Sequence, residues 1–327
     1  MKRFAPIITA LALASPAFAQ DEPAPVTPSS VIAAASAEEW IAIAPEDLLV
    51  MDLADDQWGR PRRVVIQLMP PPFSQPWVEN IRTLARAHWW DGTSVNRVQD
   101  NYVTQWGDVT GEKPAPDGVV APTTSYASTV SNPNAEIAHS ANILRRDPVG
   151  SSTFMNGWPI AFENTWIHPV VDANTGESVA VNAEKPAWPI HCYGYVGVGR
   201  DYAPDTGTGA ELYTIIGQPQ RHMDRNLAVV GRVIEGMEHL SSLPRGSGEL
   251  GFYTEEEAHL RTPIVSVRLA SEITDAPRFE YLDTASESFA RYVAVRANRD
   301  DAFYTVPAGG VDVCSVLVPV REIGSAE

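Results

Sequence analysis

Residues 94–108, SVNRVQDNYVTQWGD, place an arginine and a glutamine among residues that favour strands. The valines, the tyrosine and the tryptophan predict β-structure with at least one packed face. Arg97 and Gln105 lie among them, and an arginine on a partly buried strand costs free energy unless a specific contact satisfies it. Taken alone, Arg97 is more simply explained as a strand arginine that bridges to a loop carboxylate than as part of a site.

The start of the chain has the pattern of an export signal. Lys2 and Arg3 are followed by an apolar stretch, and residues 17–19 supply a small-x-small cleavage pattern. The apolar stretch is short and interrupted by prolines, so it does not predict a membrane span. We therefore expect residues 1–19 to be a signal peptide cleaved near Ala19, and the mature protein to be periplasmic or secreted, without membrane insertion. A disordered cytoplasmic start is the alternative.

Charge and cysteine content restrict the function further. The formal net charge is −17, and it becomes about −19 once Lys2 and Arg3 are removed with the signal. Such an acidic chain is not expected to bind nucleic acid, since that affinity comes from lysine and arginine neutralising phosphates. Two cysteines, Cys192 and Cys314, are too few for a disulfide scaffold. In an oxidising compartment they can form one bridge or remain free, and the oligomeric state is not indicated.

The composition divides the chain into segments. Residues 20–35 are rich in proline and alanine and predict a disordered leader. Residues 36–271 form the predicted main domain, in which two strands (48–53 and 62–68), a helix after Ser74 and further strands from Tyr193 onward alternate with turns. A loop-rich insertion, with a hairpin around residues 174–176, interrupts this domain at 109–190. Residues 272–327 predict a helix–strand extension that ends in the strand VDVCSVLV (311–318).

Several catalytic motifs can be set aside. The Asp205-Thr206-Gly207 sequence of aspartic proteases occurs once, without the apolar strand that precedes it there, and predicts a polar turn. The glycines at 194–199 have the wrong order for a dinucleotide site, and no P-loop follows. The sequence has neither a His-x-x-x-His pair nor a Gly-x-Ser-x-Gly elbow. We therefore expect no metal and no cofactor.

Two separated blocks carry a specific joint pattern. Residues 64–108, VVIQLMPPPFSQPWVENIRTLARAHWWDGTSVNRVQDNYVTQWGD, contain a strand, a helix and the segment with Arg97. Residues 195–240, YVGVGRDYAPDTGTGAELYTIIGQPQRHMDRNLAVVGRVIEGMEHL, contain a glycine-rich strand, an apolar strand and a last strand. Together the blocks resemble the cyclophilin-type peptidyl-prolyl cis-trans isomerases. The resemblance implies a mainly β fold, a closed eight-stranded antiparallel barrel capped by two helices, with the substrate groove outside a filled barrel core.

The resemblance also implies a set of site residues. Arg97 occupies the position of the family's catalytic arginine, and Gln105 that of the groove glutamine. The implied substrate-binding residues are Tyr102, Val103, Val198, Gly199, Glu211, Leu212, Tyr213, His222, Met223 and Leu227. Most of these positions differ from the family's usual residue, and three differences bear on catalysis: Glu211 replaces a glutamine, Leu212 a phenylalanine, and His222 a tryptophan or phenylalanine.

Arginine suits this chemistry. Rotation about a peptide bond breaks amide resonance, with a barrier of about 18–20 kcal/mol, and makes or breaks no covalent bond. As resonance is lost, the prolyl nitrogen becomes an acceptor, and a fixed donor aimed at it stabilises the twisted state. A guanidinium is always charged and holds its donors in fixed directions. We expect an isomerase that acts on proline-containing exported polypeptides.

The departures keep an alternative open. An ion pair between Glu211 and Arg97 would occupy the donors of the arginine, and Leu212 and His222 would reduce the aromatic surface of the groove. The alternative function is a binding or chaperone-like module with weak or no isomerase activity.

Overall fold

The computed structural model describes residues 25–131, 144, 150–163, 170–171, 178–179, 184–301 and 303–324. The predicted signal and the first part of the predicted leader lie outside these residues. The strands are β1 Trp40–Ala42, β2 Leu48–Leu53, β3 Arg62–Leu68, β4 Ser94–Val98, β5 Val103–Gly107, β6 Ser128–Ser131, β7 Ser151–Met155, β8 Trp158–Phe162, β9 Val170–Val171, β10 Ser178–Val179, β11 Glu184–Pro189, β12 Tyr195–Val198, β13 Leu212–Ile215, β14 Val229–Glu235, β15 Thr262–Leu269, β16 Phe279–Leu282 and β17 Val320–Glu322. The helices are α1 Pro28–Ala33, α2 Gln75–Arg86, α3 Glu238–Ser241 and α4 Glu287–Ala297.

Eight of these strands close into a barrel, in the order β12-β13-β5-β4-β15-β2-β3-β14, and every pair is antiparallel. Their branched and aliphatic side chains fill the interior, as with Met51, Val64 and Val230, which are fully buried. Helix α2 packs against β14 and β15, and the short α3 contacts β3. The predicted closed antiparallel barrel is confirmed.

The opening stretch is a hairpin and not the single strand that its composition suggests. Strand β4 pairs with β5, and Arg97 lies directly opposite Gln105. The chain reverses at residues 99–102, where Asn101 adopts a left-handed conformation with φ of 51°. Asparagine tolerates this conformation better than most residues, so Asp100 and Asn101 can form the turn between β4 and β5. The hairpin brings the two predicted catalytic side chains together.

The insertion contains a sheet of its own. Strands β6, β11, β8 and β7 pair in that order, and Trp158 of β8 and Trp188 of β11 are buried. Strands β9 and β10 pair antiparallel on either side of the predicted hairpin. The turn itself, at residues 174–176, lies outside the described residues.

The prediction of a disordered leader is wrong for its described C-terminal part. Thr27 caps α1 through a reciprocal pair of hydrogen bonds with Ser30, and Val31 is buried. Helix α1 contacts α4 of the C-terminal extension, which supplies the apolar surface that the leader sequence lacks. Strand β1 likewise pairs with β16 of the extension.

The predicted final strand at 311–318 is also wrong. Asp312 accepts a hydrogen bond from the backbone N–H of Cys314 at 2.9 Å, and residues Val313–Ser315 form a 3₁₀ turn. The strand forms later, at β17, where it completes the sheet β1-β16-β17. The extension therefore includes a helix and two strands, and it joins the start of the described chain to its end. No helix in the described part of the chain has the length and apolar character to cross a membrane.

Cys192 and Cys314 form a disulfide across 122 residues of sequence. It connects the residue that leads into β12 of the barrel to the C-terminal extension. Because it closes a long loop, it restricts the unfolded chain strongly.

We expect Cys314→Ser to lower the free energy of unfolding by about 2–5 kcal/mol, as loss of a native disulfide typically does. Denaturant unfolding of the oxidised wild type and of the variant measures this difference. Thiol labelling of the unreduced, denatured wild type is the control, and it should find no free thiol. Two reactive thiols would contradict the bridge.

Candidate functional site

Arg97 is held at the outer face of the barrel by three acceptors. Its Nη1 donates to Oε1 of Gln105 at 3.1 Å, and its Nη2 donates to Oε1 of Gln99 at 2.6 Å. Its Nε donates to the carbonyl oxygen of Leu250 at 2.7 Å. All three acceptors are neutral, so the guanidinium charge is oriented without being neutralised. Three of its five N–H groups are used in this way, and the remaining two can donate to a substrate.

Two aromatic rings enclose the guanidinium. Its carbon atom lies 5.4 Å from the ring centre of Tyr102 and 5.2 Å from that of Phe252. Burial lowers the pKa of Arg97 from its ordinary value, but an arginine stays charged at any physiological pH. The result is a fixed, partly buried cation, whose donors act more strongly than they would in bulk water.

A small apolar cluster, separate from the barrel core, lies beside Arg97. We call it the cup; it consists of Val103, Tyr213, Ile215 and Met223, which are buried, with Tyr102 and Leu227 packed against them. All of these except Ile215 are predicted site residues. Arg97 and all of the cup except Ile215 line one groove of about 520 Å³. A proline ring can bind to such a surface, because the ring is compact and its carbon atoms are apolar.

A buried hydrogen-bond chain fixes Tyr213 within the cup. Asp224 Oδ1 lies 2.9 Å from Nδ1 of His191, and the Tyr213 hydroxyl lies 3.0 Å from Nε2 of the same ring. Since a carboxylate only accepts, Nδ1 donates to Asp224, while Nε2 and the tyrosine hydroxyl share the second hydrogen bond. Burial raises the pKa of Tyr213 well above its ordinary value, which keeps the hydroxyl protonated. A β-carbon at Gly197 would come within 2.2 Å of this hydroxyl, so the tyrosine needs glycine there.

Glu211 lies behind Gln105. Nε2 of Gln105 donates to Oε2 of Glu211 at 3.4 Å, so the glutamine stands between the carboxyl group and Arg97. Burial raises the pKa of Glu211 to about 7, while the hydrogen bond from Gln105 acts in the opposite direction. Among the described residues, no ion pair between Glu211 and Arg97 is present. The ion pair considered from the sequence is therefore not formed.

Three predicted substrate-binding residues lie elsewhere than expected. Val198 and Leu212 are 0% and 2% exposed and belong to the barrel core, because strand alternation turns them inward when Gly199 and Tyr213 face the groove. Their assignment to the groove is corrected. His222 is exposed and stacks on Tyr102, with ring centres 6.2 Å apart. It contacts Tyr102 of the groove wall but does not itself line the groove.

Other groove residues escape sequence reasoning. The additional lining residues are Arg200, Asp201, Asp205, Gly207, Thr208, Ala210, Leu250 and Phe252. The first six precede Glu211 in the second block. The irregular turn of residues 201–209 prevents their places in the groove from being predicted from the sequence. Leu250 and Phe252 lie about 150 residues from Arg97 in sequence, in a glycine-rich loop that carries no strand or helix pattern.

The described residues contain no group of three or more histidine, cysteine, aspartate or glutamate side chains with the spacing of a metal site. What the groove offers is a fixed arginine beside an apolar cup. Such an arrangement can bind an apolar ring and donate hydrogen bonds to polar atoms next to it.

Comparisons with known proteins identify the family and the fold. The sequence model of the cyclophilin type peptidyl-prolyl cis-trans isomerase family matches residues 63–268. The fold is similar to the crystal structure of the cyclophilin AquaCyp293 from Hirschia baltica, with a TM-score of 0.64 and 21% sequence identity over 92% of this chain and 99% of that one. None of the curated proteins matches the sequence. The chain belongs to the cyclophilin-type peptidyl-prolyl cis-trans isomerase family, and peptidyl-prolyl isomerisation is its activity at the level of that family.

Proposed function

We propose that the groove catalyses rotation of X-Pro peptide bonds in exported polypeptides, with Arg97 donating to the prolyl nitrogen of the twisted amide. The observation that carries the proposal is the orientation of Arg97 by three neutral acceptors beside the cup. Since the arginine is positioned before substrate binds, its donors need little reorganisation in the twisted state. Gln105 holds the guanidinium, and the cup seats the proline ring.

The departures from the family pattern at Glu211, Leu212 and His222 are the reason to consider a binding module with weak or no isomerase activity. Each of them has a position that leaves the groove largely intact. Leu212 lies in the barrel core, and His222 supplies an aromatic ring that stacks on Tyr102. Glu211 contacts Gln105 and occupies none of the donors of Arg97. These contacts favour catalysis over a groove that only holds its client.

Export of the protein is part of the proposal. It rests on the charged and apolar start of the sequence with its cleavage pattern at residues 17–19. The bridge between Cys192 and Cys314 supports it, because disulfides persist mainly in oxidising compartments. Clients would be newly exported chains whose folding waits on proline isomerisation.

We expect the mature wild-type protein, at substoichiometric concentration, to accelerate cis-to-trans isomerisation of an X-Pro test peptide. A protease-coupled assay measures the rate, and suppression of aggregation of an unfolded client is measured in parallel. Acceleration supports the isomerase. If the protein suppresses aggregation but leaves the isomerisation rate unchanged, the binding module is the correct function.

A further inference from the structure

A loop from the C-terminal half of the barrel lies across the groove beside Arg97. We call residues 246–253 the strap. Backbone hydrogen bonds fix it to β4, with the N–H of Gly246 donating to Val98 at 3.0 Å and that of Tyr253 donating to Asn96 at 3.1 Å. Phe252 forms an isolated β-bridge with Arg97. The strap is thus an ordered segment that pairs alongside β4, the strand that carries the arginine.

The strap itself is a tight turn. The N–H of Gly248 donates to the carbonyl of Phe252 at 3.0 Å, and the N–H of Gly251 donates to the carbonyl of Gly248 at 3.0 Å. A β-carbon at Gly251 would lie 2.7 Å from Cβ of Gln99, so only glycine allows this close approach. These contacts fix the position of the residues between Gly248 and Gly251.

Leu250 adopts a conformation that leucine usually avoids. Its φ is 54° and its ψ is 15°, in the left-handed region that favours glycine and asparagine. This conformation directs its carbonyl to Nε of Arg97 and leaves its side chain 59% exposed. A strained backbone that exposes a large apolar side chain beside a site is a reason to look for a functional role.

The strap contributes apolar side chains to the groove. Leu250 and Phe252, the latter 37% exposed, line the same groove as Arg97 and most of the cup. Arg200, Asp201 and Asp205, which are charged, line it as well. Leu250 and Phe252 are therefore the lining residues outside the cup that offer large apolar side chains to a bound peptide.

We propose that the strap selects substrates that carry a large apolar residue next to the proline, and that Leu250 and Phe252 bury that residue. This inference rests on the proposed function of the groove. The two side chains line the same groove as the cup, so a leucine of the substrate that contacts them would lose contact with water on binding. Removal of that apolar area from water favours binding.

The test uses peptides Ala-Xaa-Pro-Yaa, in which leucine, alanine or glutamate is placed before or after the proline. Rates are measured by exchange NMR and read as ratios between peptides, so that a uniform loss of activity does not affect the result. At one of the two positions, we expect wild type to prefer leucine over alanine by about fivefold to tenfold in kcat/KM, as expected for partial burial of a leucine. The double variant Leu250→Gly, Phe252→Ala should lower this ratio to about two or less.

Leu250→Gly is chosen because glycine accepts the left-handed conformation, which keeps the backbone acceptor of Arg97 in place. Val265→Ala is the matched control, since Val265 is 60% exposed on β15 and does not line the groove. A leucine-to-alanine ratio near one in wild type, or a ratio unchanged in the double variant, overturns the inference while isomerase activity stands. If wild type accelerates none of the peptides, the proposed function and this inference both fail.

Discussion

Arg97→Ala should reduce kcat/KM for X-Pro isomerisation by about 10²–10³, which is the usual effect of removing one donor that stabilises a transition state. The alanine removes the proposed hydrogen bond to the prolyl nitrogen, while the cup proposed to bind the proline ring stays in place. The loss should therefore appear mainly in kcat. A protease-coupled assay at several enzyme concentrations measures it.

Two further variants separate charge, geometry and stability. Arg97→Lys keeps the positive charge but loses the fork that bonds Gln105, Gln99 and Leu250, so most activity should still be lost. Arg63→Ala is the matched control, because Arg63 is an exposed barrel arginine that pairs with Asp52 away from the groove. If Arg97→Ala retains activity within about threefold of wild type and of this control, as judged against the 10²–10³ expected for a lost donor, the assigned role is wrong.

Glu211→Gln should change how stability depends on pH. In the folded protein the pKa of Glu211 is raised from 4.5 to about 7 by burial, so the folded state binds more protons than the unfolded state between these values. Wild-type stability arising from this group is fully present below pH 4.5, falls as the pH rises toward 7 and is constant above it. The size of this effect is on the order of 3 kcal/mol. A glutamine does not titrate and removes it.

Denaturant unfolding near pH 4 and near pH 8 tests this. The free energy of unfolding of Glu211→Gln, relative to that of wild type, should be higher near pH 8 than near pH 4. The isomerase activity of wild type should decrease as the pH approaches neutrality, and that of the variant should not. The decrease is expected because a carboxylate behind Gln105 lowers the positive potential at Arg97. The neighbouring Asp108 adds negative charge on the same side. Glu46→Gln, an exposed carboxylate outside the groove, is the control. A relative stability of Glu211→Gln that does not change with pH would contradict the assignment.

Much of the barrel follows from the sequence. The strand-helix order around residues 64–108 and 195–240 is local, and the apolar strands are evident from composition. The hairpin at Arg97 was missed because its turn is short and polar residues occur in both strands. The helix at 28–33 was missed because its stability comes from contact with α4, which the local sequence does not show.

The functional site could also be predicted only in part from the sequence. Arg97, Gln105 and most of the cup could be placed by resemblance, because they lie within the two blocks. Val198 and Leu212 were misplaced since the pattern identifies a position but not the face of the strand on which it lies. The strap could not be found, because its contact with Arg97 depends on closure of the barrel through strand β15.

The most direct test of the central claim separates binding from rotation. Exchange NMR on an X-Pro peptide with resolved cis and trans signals measures interconversion at equilibrium, and the same titration reports binding. With wild type, substoichiometric protein should produce exchange between the two forms. With Arg97→Ala, the peptide should still bind through the cup, and exchange should fall by at least about a hundredfold. Undiminished exchange with Arg97→Ala, or no exchange with wild type despite binding, would contradict the account.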